Sequence, residues 1–287
     1  MTLKIACIQS DIIARDPEAN FKHLDAILEK VQNDRDIIIL PETFTTGFPA
    51  EPELFAEDEN GPTMAWLKEK AIERNCAICG SFITSFSQRD NETLSQQVQG
   101  SIANGKQPTA NSFHNTFVWM NPDGSYQTYD KRHTFMGGEK EQLCTGENLI
   151  TINYKGWRIR PFVCYDLRFP VWLRNSYKDG EFGYDLAILI ANWPMQKSHI
   201  WNTLLSARAI ENQAYFVGVN RVGIDHNNIP YIGETKVVDG KGRTLVELKD
   251  DKEDVLEVDI DKKPLTDFRN YFTVHKDWEN FLLNLQK

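Results

Sequence analysis

The stretch RPFVCYDLRFP (residues 160–170) starts as an apolar run and turns, at Cys164, into Tyr165, Asp166 and Arg168. A short apolar run of this kind reads as a buried strand, and it delivers a reactive group at its end. Two further runs have the same form. DIIILPET (residues 36–43) delivers Glu42, and DLAILIANWP (residues 185–194) delivers Asn192 and Trp193. In open α/β sheets the chemistry collects at strand carboxyl ends, because buried strands fix positions on which loops converge. These three ends are the first places to look for a site.

Working outward, apolar runs alternate with helix-like stretches. KIACIQ is followed by a patterned segment near residues 20–32, then DIIIL, then TMAWLKEKAIERN, then CAICGSFITSF. Later, TFVWM, WRIRPFVCY, DLAILIAN and AYFVGVN read as strands, with the helical pattern IWNTLLSARAIENQ between the last two. Alternation of this type implies a layered α/β fold. No Pro/Gly/Ser linker divides the 287 residues, so residues 1–287 are read as one domain. Residues 87–111, rich in Gln, Asn and Ser, are expected to form a polar surface insertion. An aromatic-rich C-terminal extension, about residues 264–287, is expected to pack outside the main body.

A net charge of −9 argues against a nucleic-acid footprint or a polybasic membrane patch. No apolar run has bilayer-spanning length, and MTLKIACIQSD lacks a signal-peptide core, so a cytoplasmic protein is expected. Five scattered cysteines fit a reducing compartment.

A nucleophilic cysteine must be ionised or must pass its proton to a base. Of six histidines only His133, in YDKRHTF, lies in a suggestive cluster, and a Cys–His pair stays open. Glu42 is the other available base, since partial desolvation after an apolar strand moves a carboxylate toward useful proton-transfer range. Taken alone it also reads as a loop-capping carboxylate. Lys131, after the strand-like GSYQTYD, reads alone as a solvated lysine; beside Glu42 and Cys164 its ammonium would stabilise an oxyanion. Cys76 and Cys79 form a CxxC leading into a strand-like segment rather than opening a helix. They are therefore read as buried and inert rather than as a redox or zinc pair.

PETF, YDKRHTF and FVCYDLRFP, in that order, resemble the nitrilase (carbon–nitrogen hydrolase) superfamily. CYDLRFPVW, ANWP and ARAIENQAYFVGVNRVG are most similar to its bacterial omega-amidases, which hydrolyse the terminal amide of 2-oxo dicarboxylate monoamides. The resemblance implies a four-layer α-β-β-α sandwich. It implies catalysis by Glu42, Lys131 and Cys164 through a thioester, with the Tyr165 N–H assisting at the oxyanion and no metal or organic cofactor. A second glutamate of the family precedes a glycine by seven residues, which selects Glu139 before Gly146, with Glu141 as the rival. Phe135, Tyr165 and Trp193 adjoin these motifs and are the expected pocket walls. Asp166 and Arg168 are left between substrate contact and loop bracing. A homodimer acting on a small-molecule amide is expected. Another small amide, a carbamoyl amine, a nitrile, or a non-catalytic role on the same scaffold are the alternatives.

Overall fold

Leu3, Ile5 and Cys7 point to one side of the first strand, and Ala6 and Ile8 to the other. This two-residue alternation, the pleat of a strand buried on both faces, sets the layers of the molecule. The computed structural model describes residues 1–48, 51–85, 113–249 and 251–279. Its first half runs β1 (Thr2–Gln9), α1 (Pro17–Leu28), β2 (Ile37–Ile39), α2 (Pro52–Phe55), α3 (Pro62–Arg74), β3 (Ala77–Thr84), β4 (His114–Met120) and β5 (Tyr126–Asp130). The helix expected near residues 20–32 begins earlier, because Asp16 accepts the Ala19 N–H and Pro17 occupies the first turn.

The second half continues with β6 (Ile152–Tyr154), β7 (Trp157–Val163), α4 (Pro170–Leu173), β8 (Tyr177–Lys178), β9 (Glu181–Phe182), β10 (Leu186–Ala191) and α5 (Ser198–Asn212). Then come β11 (Tyr215–Asn220), β12 (Val222–Ile224), β13 (Pro230–Ile232), β14 (Lys236–Val238), β15 (Thr244–Glu247), β16 (Asp254–Asp261) and α6 (Lys262–Tyr271). Two six-stranded sheets result, ordered β16-β1-β2-β3-β4-β5 and β15-β14-β11-β10-β7-β6, with two small hairpins, β8-β9 and β12-β13, beside them. In each large sheet three central strands are parallel: β1, β2 and β3 in one, β7, β10 and β11 in the other. Antiparallel strands flank them.

Ile37, Ile39, Phe117 and Trp119 of the first sheet share a core with Ile159, Phe162 and Val163 of the second. The opposite face of the first sheet, through Ile38, Leu40 and Val118, packs on Leu24, Leu28, Leu67 and Ala71 of α1 and α3. Trp201, Leu205 and Ala209 of α5 cover the second sheet. A Cβ on Gly218 in β11 would stand 2.6 Å from Leu205 and 2.8 Å from Trp201, so glycine lets α5 lie close. The order of layers is helix, sheet, sheet, helix, the α/β sandwich that the resemblance implies.

Cys79 faces the inter-sheet core and Cys76 the helical layer, so the CxxC thiols point apart. Both are free, and burial pushes Cys76 up to about 11 and Cys79 well above an ordinary thiol. At the chain's end Arg269 of α6 reaches Asp185 Oδ1 at 2.6 Å and the carbonyl of Tyr184 at 2.9 Å, fastening the tail, while Tyr271 is 90% exposed. The expected insertion, residues 87–111, and the last part of the extension, residues 280–287, lie outside the described residues. Among the described residues no helix is long and apolar enough to cross a membrane.

Candidate active site

Each strand end is held by a local device. Beyond β2, Glu42 sits where the chain turns over β3: the N–H of Thr43 donates to Ser81 Oγ at 3.0 Å and that of Phe44 to the Ser81 carbonyl at 3.1 Å. Beyond β5, the Lys131 N–H continues the ladder to the Asn115 carbonyl, and the Lys131 carbonyl accepts from the Gly146 N–H, both at 2.9 Å. A Cβ on Gly146 would lie 2.0 Å from the Asp130 carbonyl oxygen, so only glycine fits there. Beyond β7, Cys164 takes a left-handed conformation (φ 43°) and opens a 3₁₀ turn over Cys164–Arg168. Such a conformation is costly for a residue with a Cβ and is held by its surroundings.

The holding group is Asp166, fully buried. One of its oxygens accepts from Tyr129 Oη at 2.7 Å and the Val163 N–H at 3.1 Å; the other accepts from the His133 N–H and ring. The His133 ring stacks on Phe169 with centroids 3.6 Å apart, and Trp172 Nε1 donates to Tyr129 Oη at 2.9 Å. His133 is therefore engaged by Asp166 and Phe169 in this brace.

Glu42, Lys131 and Glu139 meet in a buried cluster. Lys131 Nζ donates to Glu42 Oε1 at 2.8 Å and to both Glu139 oxygens at 2.9 and 2.7 Å. Asn115 Nδ2 bridges the two carboxylates at 2.9 and 3.1 Å. The N–H of Asn192 donates to Glu42 Oε2 and that of Phe135 to Glu139 Oε2, both at 2.7 Å. One ammonium between two carboxylates leaves a buried excess of negative charge, which these donors offset. Desolvation alone would depress Lys131, but Glu139 and then Glu42 outweigh it and hold the ammonium charged. Burial raises Glu139 against the pull of Lys131. Glu141, on the same loop, is exposed.

Cys164 packs against this cluster, its Sγ 4.0 Å from the Asn192 carbonyl. Desolvation, then the charge of Glu42, push its thiol well above the ordinary range, with Lys131 opposing. Burial thus favours the thiol over the thiolate at Cys164.

A cavity of about 170 Å³ opens over the sulfur. Glu42, Lys131 and Cys164 form its polar floor, and Phe135, Tyr165 and Trp193 stand in its wall. Phe135 and Tyr165 meet edge to face at 5.2 Å. Arg168 lines the cavity and Asp166 does not, which separates two residues only two positions apart. Sequence reasoning missed Asn115, Phe48, Lys197 and Tyr231. The Asn115 signal was faint, a polar residue inside the strand HNTFVWM; Phe48 stands in a loop, Lys197 ends a 3₁₀ turn just beyond ANWP, and Tyr231 lies in a short hairpin.

A cysteine at a left-handed turn, facing a buried carboxylate and ammonium at the ends of paired sheets, suits hydrolysis by covalent catalysis. The carbon-nitrogen hydrolase family matches residues 4–270, and the chain belongs to it. It is a hydrolase of non-peptide carbon–nitrogen bonds, an amidase by its relatives. Among these, the omega-amidase YafV of Yersinia enterocolitica is 36% identical over 283 residues, covering 98% of this chain and 99% of the relative. The 2-oxoglutaramate amidase of Bacillus subtilis is 28% identical over 280 residues, covering 96% and 98%. The crystal structure of XC1258 from Xanthomonas campestris, a CN-hydrolase superfamily protein with an arsenic adduct in its active site, superposes with a TM-score of 0.87. It is 36% identical and covers 99% of this chain and 100% of that one.

Proposed function

We propose that the enzyme hydrolyses the terminal amide of small 2-oxo dicarboxylate monoamides, 2-oxoglutaramate or 2-oxosuccinamate, through a thioester on Cys164. The observation that carries this reading is the Glu42–Lys131–Glu139 cluster placed against the Cys164 sulfur in one cavity. The omega-amidase and 2-oxoglutaramate amidase relatives support the substrate class. So does the cavity's size, below the roughly 300–1,000 Å³ of pockets for larger ligands.

In this mechanism Glu42 takes the thiol proton as sulfur attacks the amide carbon. The raised thiol makes that base necessary. Lys131 Nζ and the Tyr165 N–H stabilise the oxyanion, and Glu42 returns its proton to the nitrogen as the C–N bond breaks and ammonia leaves. Glu42 then activates water against the thioester, giving the acid and the free thiol. Glu139 holds Lys131 in place throughout, through two hydrogen bonds and its own tie to the Phe135 N–H. Phe135, Tyr165 and Trp193 exclude water and shape the wall.

The same reading treats the chain as one domain, since a single apolar core joins both sheets, and as a cytoplasmic homodimer. The test of function is ammonia release at one pH from 2-oxoglutaramate, 2-oxosuccinamate, glutamine, asparagine, a carbamoyl amine and simple nitriles. The 2-oxo amides are expected to have the highest kcat/KM; faster turnover of a nitrile or carbamoyl amine overturns the substrate assignment.

A further inference from the structure

The proposed base and nucleophile stand on different sheets. Glu42 follows β2 in the first and Cys164 follows β7 in the second, so the thiol proton must cross the seam between them. One residue meets both sides. Just beyond β10, Asn192 gives its backbone N–H to Glu42 Oε2 at 2.7 Å, and its side-chain Nδ2 to the Glu42 carbonyl at 3.1 Å and Thr43 Oγ1 at 2.7 Å. Its own carbonyl faces the Cys164 sulfur at 4.0 Å. Glu42 Oε1 already accepts from Lys131 and Asn115, so Oε2, held by the Asn192 N–H, is the oxygen left with room for the thiol proton.

Asn192 lies past the last pair of its own ladder. Ala191 and Asn220 close the β10–β11 register, and Pro194 has no N–H to extend it. The Trp193 backbone is held by a side chain instead. Asn220 Oδ1 accepts the Trp193 N–H at 2.8 Å, and Asn220 Nδ2 donates to the Trp193 carbonyl at 3.0 Å. The same Nδ2 donates to the Gly233 carbonyl at 2.8 Å, and Thr235 Oγ1 pairs with the backbone N–H and carbonyl of Asn220 at 3.2 and 3.3 Å. Asn220 is 2% exposed and is not among the residues that line the cavity. The Trp193 N–H and the Asn192 carbonyl belong to one planar peptide, so fixing the first aims the second.

Resting on the reading of Glu42 as the base for Cys164, we infer that Asn220 is a positioning residue for the reaction. It grips both backbone groups of Trp193 and locks the peptide that faces the sulfur. The Asn192 N–H is thereby kept on Glu42, and the carboxylate stays in line with the thiol. Asn220 acts on proton transfer without touching substrate.

Asn220→Leu removes both halves of the grip at similar volume. Asn220→Ser, smaller and still polar, takes its place if the leucine variant does not fold. kcat and KM are measured from pH 7 to pH 10 on the amide that the wild type hydrolyses fastest, so the result does not depend on the substrate assignment. At pH 7 the leucine variant should lose at least about tenfold in kcat, a part of the roughly 10²–10⁴-fold that general-base catalysis supplies, with KM little changed. The serine variant should lose less. In both, the loss should shrink as pH rises. Burial holds the Cys164 thiol well above its ordinary range, so the free thiolate, which needs no base, grows commoner with each step in pH. A merely structural fault would lower the whole profile by one factor. Glu42→Gln is the reference and should show the deeper loss. Near-normal turnover in Glu42→Gln overturns the base assignment. A deep loss in Glu42→Gln, beside a loss in the folded Asn220 variant that is absent, equal at every pH or carried by KM, overturns the role of Asn220 alone.

Discussion

His133 Nδ1 lies 2.8 Å from Asp166 Oδ1, and the same oxygen accepts the His133 N–H at 3.0 Å. Lys131 stands two residues before His133, and Cys164 two residues before Asp166. The contact thus sets the ammonium's loop against the sulfur's turn. Asp166→Asn would turn an amide N–H₂ toward donors that now meet a carboxylate. A loss of about 2–4 kcal/mol is expected in urea unfolding, with kcat falling more than KM rises. An unchanged kcat would separate the brace from the chemistry.

Cys164→Ala should abolish ammonia release while leaving the fold intact, and mass spectrometry of the wild type with substrate should capture the acyl-enzyme. Because burial and Glu42 raise the thiol, its thiolate fraction is small at neutral pH and grows as pH rises. Iodoacetamide labelling of the Cys164 peptide should therefore keep accelerating beyond pH 9. A plateau near pH 7 would show a preformed thiolate and remove the need for Glu42 as base.

Replacing Cys76 and Cys79 by Ala should leave kcat/KM near the wild-type value. Both side chains are buried, one on each face of the first sheet, so their truncation costs about 1–2 kcal/mol through lost packing. Thermal unfolding and ammonia release on the double variant check this; a large activity loss in a folded protein would restore a redox or metal role for the pair.

Asp185 holds the C-terminal tail through Arg269 and Lys262, both at 2.6 Å. Burial would raise its carboxyl, but Lys262 and Arg269 outweigh burial and lower it, while the guanidinium stays charged. The folded value lies below the unfolded one, so the pair's contribution is complete above the unfolded carboxylate value of about 3.9 and is lost as pH falls through the folded value. Arg269→Met should destabilise by about 3 kcal/mol at pH 7, and the difference from wild type should shrink below about pH 4. A difference that is constant with pH would assign the effect to packing alone.

The strand ends at Glu42 and Cys164 were legible because each is a local event, an apolar run that stops with a polar residue after it, and Lys131 follows the strand-like GSYQTYD. Periodicity depends on chain neighbours, and the alternation of runs was enough to define a layered α/β fold. Convergence is a different kind of fact. Glu42 and Lys131 are 89 positions apart in the chain and 2.8 Å apart in space, and that distance depends on β2 and β5 taking their places in one sheet with β3 and β4 between them. The same holds for choices between close neighbours. Glu139 is buried on Lys131 while Glu141 faces outward, and Arg168 lines the cavity while Asp166 braces the turn beneath it. Residue type and hydrophobic periodicity do not distinguish members of such pairs, because side-chain direction in a loop or 3₁₀ turn is decided by what packs behind it. Asn115, which bridges both carboxylates from the start of β4, had no motif at all. Its importance comes from the strand that carries it lying beside β5, so that the ends of two chain-distant glutamates fall within reach of one amide.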